Sequence, residues 1–187
     1  PALTLFSLKD RKESMLAEHG YIAVAVQHAG SDTPAVFSGG AMNQAGLREA
    51  TSAGAAADRF RDIPFALDEL TKMHAGDARL KGRLDMSRVG MSGHSYGAIT
   101  TMALAGQGFG PMGRMTFDDA RIKAAIVYSP SKPRQGDPAR ALSGIRMPMF
   151  HMTGTNDQNP LDPSEPATTR QIPYRNLANA DKYLLVF

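Results

Sequence analysis

The chain contains no cysteine. That absence excludes disulfide bonds, thiolate zinc sites and a cysteine nucleophile. It leaves the compartment open, a secreted or periplasmic setting being favoured over the cytosol. No charge of one sign predominates: 21 Lys and Arg stand against 18 Asp and Glu, a formal charge of +3. The stretch Lys9-Asp10-Arg11-Lys12-Glu13 mixes signs and reads as the solvated start of a helix. A nucleic-acid partner therefore has no support. No apolar run reaches the roughly 18 residues that a membrane-spanning helix needs. Internal repeats, low-complexity tracts and interdomain linkers are missing as well. No signal peptide is visible, and the chain opens on Pro1-Ala2 without Met, so its natural N-terminus is expected upstream.

What is present is an ordinary globular composition, 42% hydrophobic over 187 residues, long enough to bury a sizeable core in one domain spanning 1–187. Short apolar runs at 2–6, 21–26, 86–91, 121–128, 148–152 and 182–187 predict strands. The run at 21–26 is β-branched and unalternating, as expected of a strand buried on both faces of a parallel sheet. Helical patterns fall between them. One covers 13–19 and is stopped by Gly20, one covers 56–75, and a small-residue helix covers 98–105. In the second, Phe60, Ile63, Leu67 and Leu70 recur on one face. Pro64 is expected to start or kink a segment there, with Asp62 available as its cap. Residues 31–46 lack periodicity and read as a long loop, and the Gly-rich 106–113 as another. Both are expected to shape a substrate site. Strands alternating with helices predict an α/β fold, a mostly parallel, doubly wound sheet.

The chemistry centres on Gly93-His94-Ser95-Tyr96-Gly97, a match to G-x-S-x-G between a predicted strand and a predicted helix. Such a turn holds a nucleophilic serine at a strained apex, and its glycines let strand and helix approach. A serine hydroxyl attacks only when a base takes its proton and a carboxylate orients that base. Asp157, in Thr153-Gly-Thr-Asn-Asp157 just past a strand, is the favoured carboxylate; Asp162, deeper in a Pro-rich loop, is the rival. Capping a turn is the alternative role for Asp157. None of the five histidines lies beyond His151, so the order Ser, Asp, His is not completed within the chain. His151 reads as a core residue, and His19 and His74 as structural helix-end residues. His94 is expected to pack or line the pocket, and His28, in Gln27-His-Ala-Gly-Ser-Asp32, to line it from a strand end. The base is expected in the loop just after Phe187. The Tyr96 backbone N–H is one expected oxyanion donor, and the second is expected after the first strand, near Ser7 and Leu8.

Four strings occur in order: Gln27-His-Ala-Gly-Ser-Asp-Thr33, Arg61-Asp-Ile-Pro-Phe-Ala-Leu-Asp-Glu-Leu70, Val89-Gly-Met-Ser-Gly-His-Ser-Tyr-Gly97 and His151-Met-Thr-Gly-Thr-Asn-Asp157. Together they resemble bacterial α/β-hydrolases of the predicted dienelactone hydrolase and platelet-activating-factor acetylhydrolase-like group, over nearly the whole chain. The resemblance implies the α/β-hydrolase fold and a Ser-Asp-His esterase acting on a small-molecule or polymeric carboxylic ester, with no metal or organic cofactor. Carried over by position, Ser95 is the nucleophile and Asp157 the acid. Two departures stand out. The group's Ser-His-Gly-type turn is replaced by Phe6-Ser7-Leu8-Lys9-Asp10, and its histidine is not found. Both fall where catalytic loops belong, so missing stretches are expected after Ser7 and beyond Phe187. Lactone or amide hydrolysis and perhydrolysis would use the same triad. True dienelactone chemistry is disfavoured without cysteine. A non-catalytic scaffold that binds a ligand or partner is the alternative.

Overall fold

The apolar runs pair as strands of one parallel sheet, but the run at 21–26, expected to be buried on both faces, stands at the end of the strand order among the described residues and is only partly buried, with Tyr21 and Ala25 exposed. The computed structural model describes residues 2–6, 16–29, 37–38, 41–42, 44–160 and 162–187. Strands β1 (Ala2–Phe6), β2 (Ile22–Ala25), β5 (Asp85–His94), β6 (Ile122–Tyr128), β7 (Met149–Thr153) and β8 (Lys182–Val186) form a six-stranded sheet ordered β2-β1-β5-β6-β7-β8. Every pairing in it is parallel. The chain steps one way from β1 to β2, then crosses back and steps the other way from β5 to β8. Right-handed crossovers send those two sets of connections to opposite faces. The order reverses between β1 and β5, and the carboxyl ends of strands at such a reversal form the natural ligand crevice.

The long segment expected at 31–46 is not featureless. Two short strands, β3 (Phe37–Ser38) and β4 (Ala41–Met42), pair antiparallel, and helix α1 (Gln44–Ala50) follows. Residues 30–36, 39–40 and 43 lie outside the described residues.

Helix α2 (Ala53–Gly76) runs unbroken for 24 residues, with Ser52 as N-cap accepting from the Ala55 N–H at 3.3 Å. Pro64 lies inside it, so the expected segment boundary there is corrected. Proline forfeits one backbone bond. The buried stripe of Phe60, Ile63, Leu67 and Leu70 supplies packing on both sides of that lost bond. Asp62 caps nothing, its carboxylate being engaged by His28.

Helix α3 (Tyr96–Ala105) is buried from Gly97 to Ala105 except for Ile99. Its small residues let it lie on β5 and β6, and α2 packs against it. Val89, Met91, Leu104 and Ile122 pack with the α2 stripe. Ala98, Met102, Ala125, Val127 and Met149 pack with Leu142, Ile145 and Leu177. Leu142 closes helix α4 (Pro138–Leu142), and Leu177 follows helix α5 (Ile172–Asn176).

Residues 106–113 pack against the α4 region. A Cβ on Gly106 would meet the Gly144 carbonyl oxygen at 2.7 Å, and the Gly108 N–H donates to Ala141 at 2.7 Å. This stretch serves helix packing and lines no part of the cleft described below.

Candidate active site

Strand β5 extends further than its apolar run, through Gly93 and His94, and delivers Ser95 to the carboxyl edge. Ser95 has φ 54° and ψ −111°, backbone that side chains other than glycine rarely adopt. Its carbonyl accepts from the Ala98 and Ile99 N–H groups at 3.0 and 3.3 Å, starting α3. Its own N–H donates to Tyr128 at the end of β6 at 2.9 Å. The turn is so tight that a Cβ on Gly93 would lie 2.2 Å from the Gly97 carbonyl oxygen. That contact gives the motif's glycines their physical reason. Tyr96 opens α3, and first-turn N–H groups have no acceptor within their own helix.

The carboxyl edge is stitched strand to strand. Ser95 N–H reaches β6, Ser129 N–H reaches Met152 of β7 at 2.8 Å, and Thr155 N–H reaches Phe187 beyond β8 at 2.8 Å. Like Ser95, Ser129 has positive φ, 50°. A cleft of about 460 Å³ opens above this edge, lined by His94, Tyr128, Met152, Asp157 and Phe187 among others. His94 is exposed at the wall of this cleft.

Asp157 is half-buried in the loop after β7. The Thr153 hydroxyl donates to its Oδ2 at 2.7 Å. The guanidinium of Arg170, itself 3% exposed, holds the same loop: Nε lies 3.7 Å from Asp157 Oδ1 and donates to the Asp157 carbonyl at 3.3 Å. Asp162 faces solvent, accepting from the Ser164 N–H and hydroxyl at 3.1 and 2.5 Å. Those bonds lower its pKa and spend it on its own turn. The cleft takes Asp157 and not Asp162 into its wall.

His28 sits past β2, 2% exposed, with Nδ1 2.8 Å from Asp62 Oδ2. Burial, then the neighbouring Arg59, push its pKa below the usual histidine value, so the ring is neutral. Nδ1–H therefore donates to Asp62, and the buried Nε2 has no partner. Arg59 is 4% exposed; its Nε donates to Thr100 Oγ1 at 2.7 Å, and its guanidinium stacks 4.7 Å from the Tyr96 ring centroid. Burial draws its pKa down to about 10. His28 belongs to this network behind the elbow and is not in the cleft lining.

Two histidines expected to be structural are so. His151 is fully buried, its ring edge-on to Tyr174 with centroids 5.7 Å apart, and burial pushes its pKa down to about 4. His74 Nδ1 accepts from the Leu84 N–H at 3.2 Å. His19 ends the short helical turn over 16–18 and is exposed. Leu8, the expected second oxyanion donor, lies outside the described residues. Among the described residues no three His, Asp or Glu side chains gather as a metal site, and no helix is long and apolar enough to cross a membrane.

Sequence reasoning missed Arg59 and Arg170. Arg59 carried a signal, a cation in the stripe of Ile63 and Leu67, whereas Arg170 carried none.

No family model matches the chain, and no curated protein matches it. Solved structures do. The acylaminoacyl peptidase of Pyrococcus horikoshii superposes with a TM-score of 0.65 at 17% identity, over all of this chain and 32% of its own. A ferulic acid esterase from Streptomyces cinnamoneus gives 0.60 at 23%, over all of this chain and 50% of its own. An acylaminoacyl peptidase complexed with Z-Gly-Gly-Phe-chloromethyl ketone gives 0.61 at 16%, with 32% of its chain covered. The chain thus spans half or less of the length of these structures. At these identities the likeness is one of fold: the chain has the α/β-hydrolase fold.

Proposed function

We propose that this chain carries the nucleophile and acid of a serine hydrolase that cleaves carboxylic esters through an acyl-enzyme. The observation that carries the proposal is Ser95, held at φ 54° between β5 and α3 above the carboxyl edge of the sheet. A backbone strained in this way is kept only where the surrounding fold enforces it.

In this reading a histidine following Phe187 takes the proton of Ser95 Oγ as the oxygen attacks the ester carbonyl. Phe187 supports that placement. Its N–H donates to the Thr153 carbonyl at 3.1 Å, so the chain leaves β8 beside Asp157 and the cleft. Asp157 accepts the imidazole's second N–H, fixes its tautomer and stabilises its positive charge. The Tyr96 N–H stabilises the tetrahedral oxyanion. Collapse expels the alcohol, which takes the proton back from the histidine. Water then enters by the same route, the histidine removing its proton, and releases the acid and Ser95. No step calls for a metal or organic cofactor. The resemblance to the dienelactone hydrolase and platelet-activating-factor acetylhydrolase-like group supports an ester substrate. Amide cleavage is the second reading, favoured by the peptidases among the structural neighbours.

The test is a fluorophosphonate probe on the protein including the residues that follow Phe187, with peptide mapping and turnover of p-nitrophenyl acetate. Label on Ser95, lost together with turnover in Ser95→Ala, is expected. A protein that takes no label and turns over no ester would be a binding scaffold, and the proposal would fall.

A further inference from the structure

We infer that Arg170 is a positioning residue that sets the acid loop at a fixed distance from the elbow; this rests on Asp157 being the acid. The loop after β7 has few anchors of its own, since Thr155, Asn156, Gln158 and Pro160 are exposed. Its internal backbone bonds are short-range, Asp157 N–H to Gly154 and Gln158 N–H to Asn156. Arg170 enters from the turn Ala167–Gln171 and spreads its donors over two strand ends. Nε donates to the Asp157 carbonyl and Nη2 to the Gln158 carbonyl, both at 3.3 Å. Nη1 donates to the Ser129 carbonyl at 3.1 Å and to Ser131 Oγ at 2.8 Å.

Ser129 is the residue after Tyr128, whose carbonyl receives the Ser95 N–H. A continuous chain of contacts thus runs from nucleophile to acid: Ser95, Tyr128, Ser129, Arg170, Asp157. Arginine suits this task because its planar fork holds several acceptors in fixed directions, which a lysine ammonium cannot do.

The guanidinium also leaves the carboxylate usable. At 3.7 Å, Nε is too far from Oδ1 for a hydrogen bond, and Thr153 occupies only Oδ2. Positive charge is therefore placed beside the acid while Oδ1 stays open to an imidazole N–H. A tight bidentate pair would have consumed both oxygens.

The experiment is a double-mutant cycle of Arg170→Met with Asp157→Asn, read as kcat and KM for ester turnover. Arg170→Met alone should lower kcat about tenfold or more with KM within about twofold, because orientation acts on the reacting complex and not on binding. In the Asp157→Asn background the same substitution should change kcat by less than about twofold. Arg170→Lys should recover only part of the loss, and Ser131→Ala, which removes one of the two partners outside the acid loop and leaves the Ser129 carbonyl, should keep kcat within about twofold of wild type. Equal losses in both backgrounds, or full kcat in folded Arg170→Met, would overturn the inference. If Arg170→Met does not fold, Arg170→Lys takes its place in the cycle under the same criteria. Undiminished kcat in Asp157→Asn would instead overturn the choice of acid.

Discussion

Acid should destabilise this fold through His151, and by an amount the structure sets. The side chain is 1% exposed in the middle of β7, and burial outweighs what the backbone of Tyr183 and Met149 offers its protonated form. Burial holds its pKa down at about 4 against 6.5 for a free histidine. Above the free value the ring is neutral in both folded and unfolded chains, and its contribution to stability is fully present. As pH falls below that value the unfolded chain binds a proton that the folded chain refuses, so stability is lost until the folded pKa is reached. At about 1.4 kcal/mol per unit, the loss reaches about 2 to 3 kcal/mol by about pH 4.5. His28 shifts in the same direction and adds to this acid limb. A variant isolates the share of His151. Leucine in its place removes the ring and its titration together. The assay is urea unfolding followed by far-UV circular dichroism, at about pH 7.5 and about pH 4.5, for wild type and His151→Leu. The stability difference between the two proteins should move by about 2 to 3 kcal/mol in favour of the variant on acidification. A difference that stays constant within about 0.5 kcal/mol would refute the reasoning, because it would mean that the ring titrates alike in both states.

Gly93→Ala places a methyl group 2.2 Å from the Gly97 carbonyl oxygen, so the elbow must open. Serine-directed labelling should be lost while far-UV circular dichroism stays near wild type, and an unchanged labelling rate would disprove the steric account. Asp62→Ala deprives buried His28 of the carboxylate that its Nδ1 meets at 2.8 Å. The expected loss is about 1 to 3 kcal/mol in urea unfolding, and no loss would mean that the pair is idle. Thr153→Val removes the hydroxyl that holds Asp157 Oδ2. It should lower kcat about tenfold with little change in KM, and a full kcat would show that the carboxylate needs no such support.

The elbow was legible because its constraints are local: two glycines, a serine between them and apolar runs on both sides. The parallel strands were legible for a related reason, since burial on both faces leaves continuous apolar runs. The last residues of β5 were not, because Gly93 and His94 carry turn chemistry while still paired in the sheet with Val127 and Tyr128. Pro64 misled because propensity is read residue by residue, whereas the α2 stripe acts over the whole helix. Asp157 could be preferred over Asp162 from its place at a strand end, but Thr153 and Arg170 could not be paired with it. Arg170 lies 13 residues from Asp157 and 41 from Ser129, and no periodicity links those positions. The buried His28, Asp62 and Arg59 were likewise hidden, since burial of a charge depends on which neighbours the fold supplies.

The stitched carboxyl edge has a consequence for the order in which the protein is made. The Ser95 amide finds its acceptor on Tyr128, the Ser129 amide on Met152, and the Thr155 amide on Phe187. Each segment leaving a strand is held by one that the ribosome has yet to produce. At roughly 5 to 20 residues per second, the elbow waits seconds for the end of β6, and the loop after β7 waits about as long for the end of β8. A nascent chain therefore emerges with its serine unposed, and the elbow takes up its held geometry only once β6 has been made and paired.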